Sequence, residues 1–460
     1  MTAALASASL AIWIYLIAAR GAFWRAAERD DAAADTPRLR RAGFWPGASG
    51  NRLPLPGGER DGVRGSGPSL DTPDRAPLTR RPSAADLSPK GRGEEEVAAR
   101  PESTDSRPDD TPAAWPAVVA VIPARDEADV VGEGLASLLH QDYAGLFAII
   151  LVDDQSRDGT AEAARASASR ESAAGRLTVV PGTPLPPGWT GKLWAMKQGI
   201  DHVESLPDAP AYLLLTDADI AYAPDTLTSL VRRAQNRGLV LTSLMAKLRC
   251  ETFAERALIP AFVFFFQMLY PFAWVNRPDA ATAAAAGGCM LVRRDALATI
   301  GGIEEIRTAL IDDCALGREL KRVGPIWLGL TRRAQSLRAY PRVADVRRMV
   351  ARSAYHQLGY SPLLLGATAA GLALTFLAPP FLALFASGLA RALGLAVCAL
   401  MALAFQPMLR FYRVSPLWGL ALPAIAALYL AFTLDSAYQH WRGRGGLWKG
   451  RVQADLSETR

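Results

Sequence analysis

Tyr212-Leu213-Leu214-Leu215-Thr216-Asp217-Ala218-Asp219 is an apolar run that stops abruptly at two carboxylates one residue apart. A buried strand with that ending presents hard oxygen ligands at the rim of a sheet. Mg²⁺ or Mn²⁺ takes such ligands when it must also hold a diphosphate. An isolated Asp-x-Asp says little. Here it closes the fourth of several apolar strands, and each of the others also ends in polar residues.

Working back from it, the spacing predicts strands over 117–122, 147–152 and 177–180, and the fourth over 212–215. Helical periodicity fills two of the intervals. Val130/Val131, Leu135 and Leu138/Leu139 recur at helical spacing after the first strand, and Ala161–Ala168 follow the second. Strand alternating with helix at this interval predicts an α/β fold with a doubly wound, mostly parallel, Rossmann-like sheet. In such sheets the ligand crevice lies outside the carboxyl ends of the strands.

The polar clusters fall at those ends. Pro123-Ala124-Arg125-Asp126-Glu127 follows the first strand; its carboxylates suit a ribose or base edge, or the capping of the next helix. Asp153-Asp154-Gln155-Ser156-Arg157-Asp158-Gly159-Thr160 follows the second. Ser156 and Asp158 suit capping and Gly159 a turn, which leaves the adjacent Asp153 and Asp154 unexplained by capping. Gly188-Trp189-Thr190-Gly191-Lys192 sets a lysine on a glycine-flanked loop, suited to a diphosphate. It lacks the GxxxxGK[ST] spacing, which argues against an ATPase. Gly287-Gly288-Cys289 opens a short strand, where glycines permit close backbone approach to a substrate or a tight turn. Asp312-Asp313 begins an amphipathic helix through Val323; one carboxylate suffices as a cap, and the other suits a general base on an acceptor hydroxyl.

The rest of the chain is organised around a membrane. Ala4–Ala19 is apolar and followed by Arg20 and Arg25, so residues 1–24 read as an uncleaved anchor. Residues 25–113 are rich in Pro and Gly, carry 15 Lys/Arg against 16 Asp/Glu, and show no sustained period. They read as a disordered linker. The catalytic domain is expected over 114–335, with an aromatic, proline-interrupted segment at 252–275 that suits an interfacial element or a core helix. Nine Lys/Arg between Lys321 and Arg352 face only Asp345, and the stretch 336–360 reads as a basic amphipathic juxtamembrane segment. No stacking-aromatic motif accompanies that charge, which sets nucleic acid aside as a partner. Apolar runs over 361–435 predict about three spans, followed by a basic tail at 436–460. Cys250, Cys289, Cys314 and Cys398 show no pairing framework, and the four histidines no zinc spacing.

From about Ala117 to Val323 the ordered set of five motifs resembles the family 2 glycosyltransferases of GT-A fold. That resemblance implies the following roles. Pro123, Arg125, Glu127, Asp153, Asp154, Lys192 and Asp217 bind the nucleotide sugar, with uridine on the carboxylates and diphosphate near Lys192. Asp217 and Asp219 hold a divalent metal, Mg²⁺ or Mn²⁺. Gly287 and Gly288 lie on the acceptor side, and Asp313 is the base, with Asp312 replacing the glutamate of the family's Glu-Asp pair. The Gln-x-x-Arg-Trp motif of processive members is absent, which points to transfer of a single sugar. Gly188–Ala195, Ile259–Pro271 and Gln357–Ser361 further resemble the hopene-associated (HpnB-type) glycosyltransferases. The implied enzyme is a multi-pass protein of a bacterial inner membrane with its catalytic domain in the cytoplasm. It would be inverting, and would move sugar from a nucleotide-sugar donor to a lipid, a hopanoid in the narrower resemblance. A ceramide- or diacylglycerol-type lipid glucosyltransferase, a nucleotidyltransferase and an inactive membrane scaffold are the alternatives.

Overall fold

A computed structural model describes residues 2–30 and 115–443, with the backbone of 447–448 and 451–452. The linker expected over 25–113 lies outside the described residues except for 25–30.

Helix α1 (Thr2–Ala18) comes first. The α/β part then runs β1 (Val118–Ala124), α2 (Ala128–Leu139), β2 (Phe147–Asp153), α3 (Thr160–Arg170), β3 (Leu177–Pro181), α4 (Gly191–Glu204), β4 (Tyr212–Leu215), β5 (Ile220–Tyr222), α5 (Thr226–Arg237) and β6 (Leu241–Lys247). It continues through α6 (Phe253–Leu269), α7 (Phe272–Val275), β7 (Met290–Arg293), α8 (Arg294–Thr299), α9 (Asp312–Val323), β8 (Ile326–Ser336) and α10 (Val343–Ala351). The last helices are α11 (Pro362–Leu372), α12 (Ala378–Phe385), α13 (Gly388–Tyr412) and α14 (Leu422–Trp441).

The sheet has eight strands in the order β3-β2-β1-β4-β7-β6-β8-β5. It is parallel across β3-β2-β1-β4 and between β6 and β8, and antiparallel where β7 and β5 join. This is a mixed, GT-A-like α/β sheet. The four strands read from the sequence form its parallel half. Strands β5, β6 and β8 carry no comparable sequence signal: β5 is three residues long, and Thr242, Ser243, Arg332 and Arg333 interrupt the apolar pattern of the other two.

Period-two alternation divides each central strand between two cores. Val118, Ala120 and Ile122 join Val131, Leu135 and Leu138 of α2 and Ala164 and Ala168 of α3. Val119 and Val121 face the other way, toward Leu193, Met196 and Val203 of α4. That second core does not stop at the domain edge. It continues through Phe264 of α6 to Phe376, Met401, Phe405 and Tyr429 of the C-terminal helices.

Of the two readings of the 252–275 segment, the packing is that of a core helix and not of an interfacial element: Phe264 and Phe272 are fully buried, and Phe264 packs its ring 5.1 Å from Phe405 and 5.2 Å from Phe23. The sheet and the C-terminal bundle both need an apolar surface, and α6 supplies it. Part of the basic run is not a membrane flank either. Arg332 and Arg333 lie on β8, and Arg333 pairs with Asp225 at 3.1 Å and Asp30 at 3.2 Å. The ordered chain also extends past residue 25, because Asp30 is buried and accepts a hydrogen bond from Thr331 at 2.9 Å.

Three helices are long and apolar enough to cross a membrane: Pro362–Phe385, Gly388–Tyr412 and Pro416–Trp441. The first contains a π-helical turn at Ala373–Leu377. Its cause is Pro379-Pro380, since neither residue has an N–H to return to the preceding turn. The carbonyl of Thr375 would look to those two positions. It accepts instead from the indole N–H of Trp13 at 2.9 Å, which fastens α1 to the bundle. At 17 residues α1 is a shorter apolar helix, at the lower limit of the about 17–25 residues that span a bilayer.

Candidate active site

The strand ends build the site. Asp217-Ala218-Asp219 is the link between β4 and β5, and Lys192 is the second residue of α4. Gly287 and Gly288 lead into β7, while Asp312 and Asp313 open α9. A cavity of about 910 Å³ is lined by Pro123, Glu127, Lys192, Asp217, Asp219, Gly287, Gly288, Asp312 and Asp313. Nine residues that the sequence reading chose therefore converge from five separate segments.

Lys192 is the hub. Its ammonium stands 2.9 Å from Asp217 Oδ1 and 3.0 Å from Asp312 Oδ2. Burial opposes its charge, yet Asp217 and Asp312 hold it protonated well above the ordinary lysine range. Burial raises the pKa of Asp217, with Lys192 opposing and Asp219 adding to the rise. Asp313 accepts hydrogen bonds from Gly287 N–H at 2.9 Å and from Cys314 N–H at 2.7 Å. Burial, and then the charge of Asp312, lift it to about 6, while Lys192 pulls the other way. A carboxylate near 6 is ionised at neutral pH yet basic enough to draw on a hydroxyl proton. Space at Gly287 is tight: a Cβ there would lie 3.2 Å from Lys192 Nζ and 3.4 Å from Asp313 Oδ2, so both side chains would have to shift by a few tenths of an ångström.

Several neighbours were not foreseen. Arg338 donates to Asp219 Oδ2 at 3.1 Å and to Glu127, tying the Asp-x-Asp link to the end of β1. Ser336 also donates to Asp219 Oδ2, at 3.1 Å. The Thr216 hydroxyl is 2.6 Å from that of Tyr222, and both bond the carbonyl of Gly288 at 2.9 Å. Arg338 was hidden in the sequence because it reads as one more charge in a basic run. Gly134 of α2 matters by absence, since a Cβ would meet the Ala218 carbonyl at 2.7 Å.

Arg125, Asp153 and Asp154 stand beside this cavity rather than in its lining. Asp154 is fully buried, and Arg125 donates to its carbonyl; their side chains are 3.7 Å apart. Asp153 Oδ1 accepts from Ser156 N–H at 3.1 Å. The following loop is a joint between helices. Thr160 Oγ1 accepts from Glu127 N–H and Asp158 Oδ2 from Ala128 N–H, both at 2.9 Å, and Asp158 Oδ1 accepts from Thr160 N–H at 3.1 Å. Asp158 thus serves the N-termini of both α2 and α3.

At the strand ends, Glu127, Asp217, Asp219, Asp312 and Asp313 face Lys192 and Arg338: five carboxylates against two cations. The donors are all hard oxygens, suited to Mg²⁺ or Mn²⁺ rather than to a soft metal. Among the described residues no three His, Cys, Asp or Glu side chains form a closed metal cage.

Residues 119–301 match the family described as Glycosyl transferase family 2; the match ends before Asp312-Asp313. No curated protein matches the chain. Among solved structures, the chain is similar to a mannosyltransferase from Pyrobaculum calidifontis in complex with GDP-Man and Mn²⁺, at 18% identity and a TM-score of 0.45, covering 72% of this chain and 89% of the other. It is also similar to mannosyl-3-phosphoglycerate synthase from Rubrobacter xylanophilus, at 18% identity and a TM-score of 0.34, covering 53% and 75%. Glucosyl-3-phosphoglycerate synthase from Mycobacterium tuberculosis matches at 16% identity and a TM-score of 0.34, covering 53% and 79%.

Proposed function

We propose that this chain is an inverting glycosyltransferase that moves one sugar from a nucleotide-sugar donor to the hydroxyl of a membrane lipid. One observation carries the reading: Asp217-Ala218-Asp219 and Asp312-Asp313 line the same cavity, joined by a single part-buried lysine. Its chemical setting is a sheet whose residues 119–301 match glycosyl transferase family 2.

In this reading the nucleotide lies over the ends of β1 and β2, near Pro123, Arg125, Glu127, Asp153 and Asp154, and the diphosphate lies toward Lys192. Asp217 and Asp219 would hold Mg²⁺ or Mn²⁺, which supplies Lewis-acid stabilisation of the departing diphosphate. Asp313 takes the proton of the acceptor hydroxyl. The acceptor oxygen bonds to the anomeric carbon from one face as the bond to the diphosphate breaks on the other, which inverts that carbon. Gly287 holds the base through its N–H. Lys192 pairs with Asp312, and its charge partly offsets the rise that Asp312 imposes on Asp313.

A lipid acceptor is supported by the three membrane-length helices, which share a core with the catalytic sheet. The hopanoid acceptor, the uridine donor and the cytoplasmic face of a bacterial inner membrane rest on the sequence resemblance. The test is to incubate membranes carrying the full chain with a panel of labelled nucleotide sugars, with and without EDTA, and to weigh the labelled lipid. A metal-dependent glycolipid is expected. Absence of both lipid labelling and metal-dependent donor hydrolysis would leave the scaffold reading standing instead.

A further inference from the structure

The strand-end carboxylates occupy one part of the cavity; Asp345, Arg348 and Arg352 of α10 and its C-terminal end add charge to another, and a third part is apolar and belongs to the helices. Phe262, Phe265, Phe266 and Leu269 line it from α6. Their spacing, i, i+3, i+4 and i+7, puts them on one helical face. The three phenylalanines are only half-buried, whereas Phe264 between them is sealed into the shared core. Two further helices present pairs one turn apart to the same space: Thr368 and Leu372 from α11, and Tyr429 and Thr433 from α14. The hydroxyls at α14 are already spent, Tyr429 on the Leu258 carbonyl at 2.8 Å and Thr433 on the Tyr429 carbonyl at 2.9 Å. None of these eight side chains carries a charge.

Protein interiors close up at near-crystalline density, and an apolar cavity that persists is one that takes an apolar guest. Resting on the transferase reading above, we infer that this space is an acceptor slot. The uncharged apolar body of a single lipid lies between the α6 aromatic face and the α11 and α14 pairs, with its hydroxyl at Asp313. Two facts fix the occupant's chemistry. The slot is continuous with the catalytic carboxylates, and its far walls are helices of membrane-spanning length. A lipid reaching Asp313 this way keeps its apolar part among protein side chains throughout.

The test uses the full-length chain in detergent, photolabelled with a long-chain primary alcohol carrying a diazirine, with labelled peptides located by mass spectrometry. Labels are expected on the α6 stretch 262–269 and on 429–433, and Thr433→Trp should reduce them about tenfold. Labelling of the outward-facing Leu363 and Phe381, which are 81% and 61% exposed, should persist. Phe265→Ala provides a second variant that widens the slot, and it should increase labelling by a branched, bulkier alcohol. Labels confined to outward-facing residues, or slot labels indifferent to both substitutions, would overturn the inference. Photolabelling needs no sugar transfer, so failure of the transferase reading would appear separately, as absence of a labelled glycolipid alongside an intact slot.

Discussion

Asp313 combines two hydrogen bonds that favour its ionised form with a burial that resists it, and the balance falls at about 6. Asp313→Asn removes the proposed base and keeps the shape. Transfer should fall by about 10²–10⁴-fold, the usual worth of a positioned base, with donor affinity nearly unchanged by calorimetry. The sign of the pH dependence follows: only the ionised carboxylate accepts a proton, so kcat/KM should decline as pH drops through about 6 and level off above it. A profile flat between pH 5 and 8 would remove Asp313 from that role. Arg338 makes a different prediction. Arg338→Gln takes the guanidinium from both Asp219 and Glu127, and losing hydrogen bonds between charged groups costs about 1.5–3 kcal/mol. A lower melting temperature is expected, together with a weaker apparent affinity for Mn²⁺ in a direct binding titration.

At the scale of elements, the decisive device is in the first membrane-length helix. Pro379 and Pro380 withhold the two N–H groups nearest the Thr375 carbonyl, and Trp13 replaces them from 362 residues away in sequence. Trp13→Phe keeps the ring packing against Phe376, now 5.5 Å away, and deletes only the donor. The cost expected is about 1–3 kcal/mol, read as a lower unfolding temperature of the solubilised protein. Trp13→Phe combined with a Pro379→Ala change should recover part of that loss, because the helix then supplies its own donor. Helices α2 and α9 show the complementary case, in which a missing side chain is what counts. Gly134 and Gly317 let helix backbones lie against the Ala218 and Ala284 backbones, where a Cβ would stand within 2.7 and 2.9 Å.

For the whole molecule, the sheet and the membrane-length helices do not have separate interiors. One apolar cluster runs from Val121 of β1 through Phe264 to Phe405 and Tyr429. A chain ended at residue 361 would expose the α6 face that Phe376, Phe405 and Tyr429 cover. It should therefore be insoluble without detergent, and a sedimentation assay against the full chain would show it. Soluble, folded material retaining donor binding would mean that the catalytic sheet closes its core alone.

Sequence determined the parallel half of the sheet, because β1, β2 and β4 are short apolar runs with a clean stop. It also determined that carboxylates and Lys192 stand at those stops, and that three long helices follow. Each of these is a property of neighbouring residues, set by strand alternation, helix period or run length. Tertiary structure decided the rest: that Lys192 bridges Asp217 to Asp312, that Arg338 joins Glu127 across 211 positions, and that the α6 aromatics divide between a sealed core and an open slot. The physical reason is that a charge or an aromatic ring looks the same in a list of residues whatever it will touch. Its partner is chosen only when segments far apart in the chain are brought to one side of a sheet.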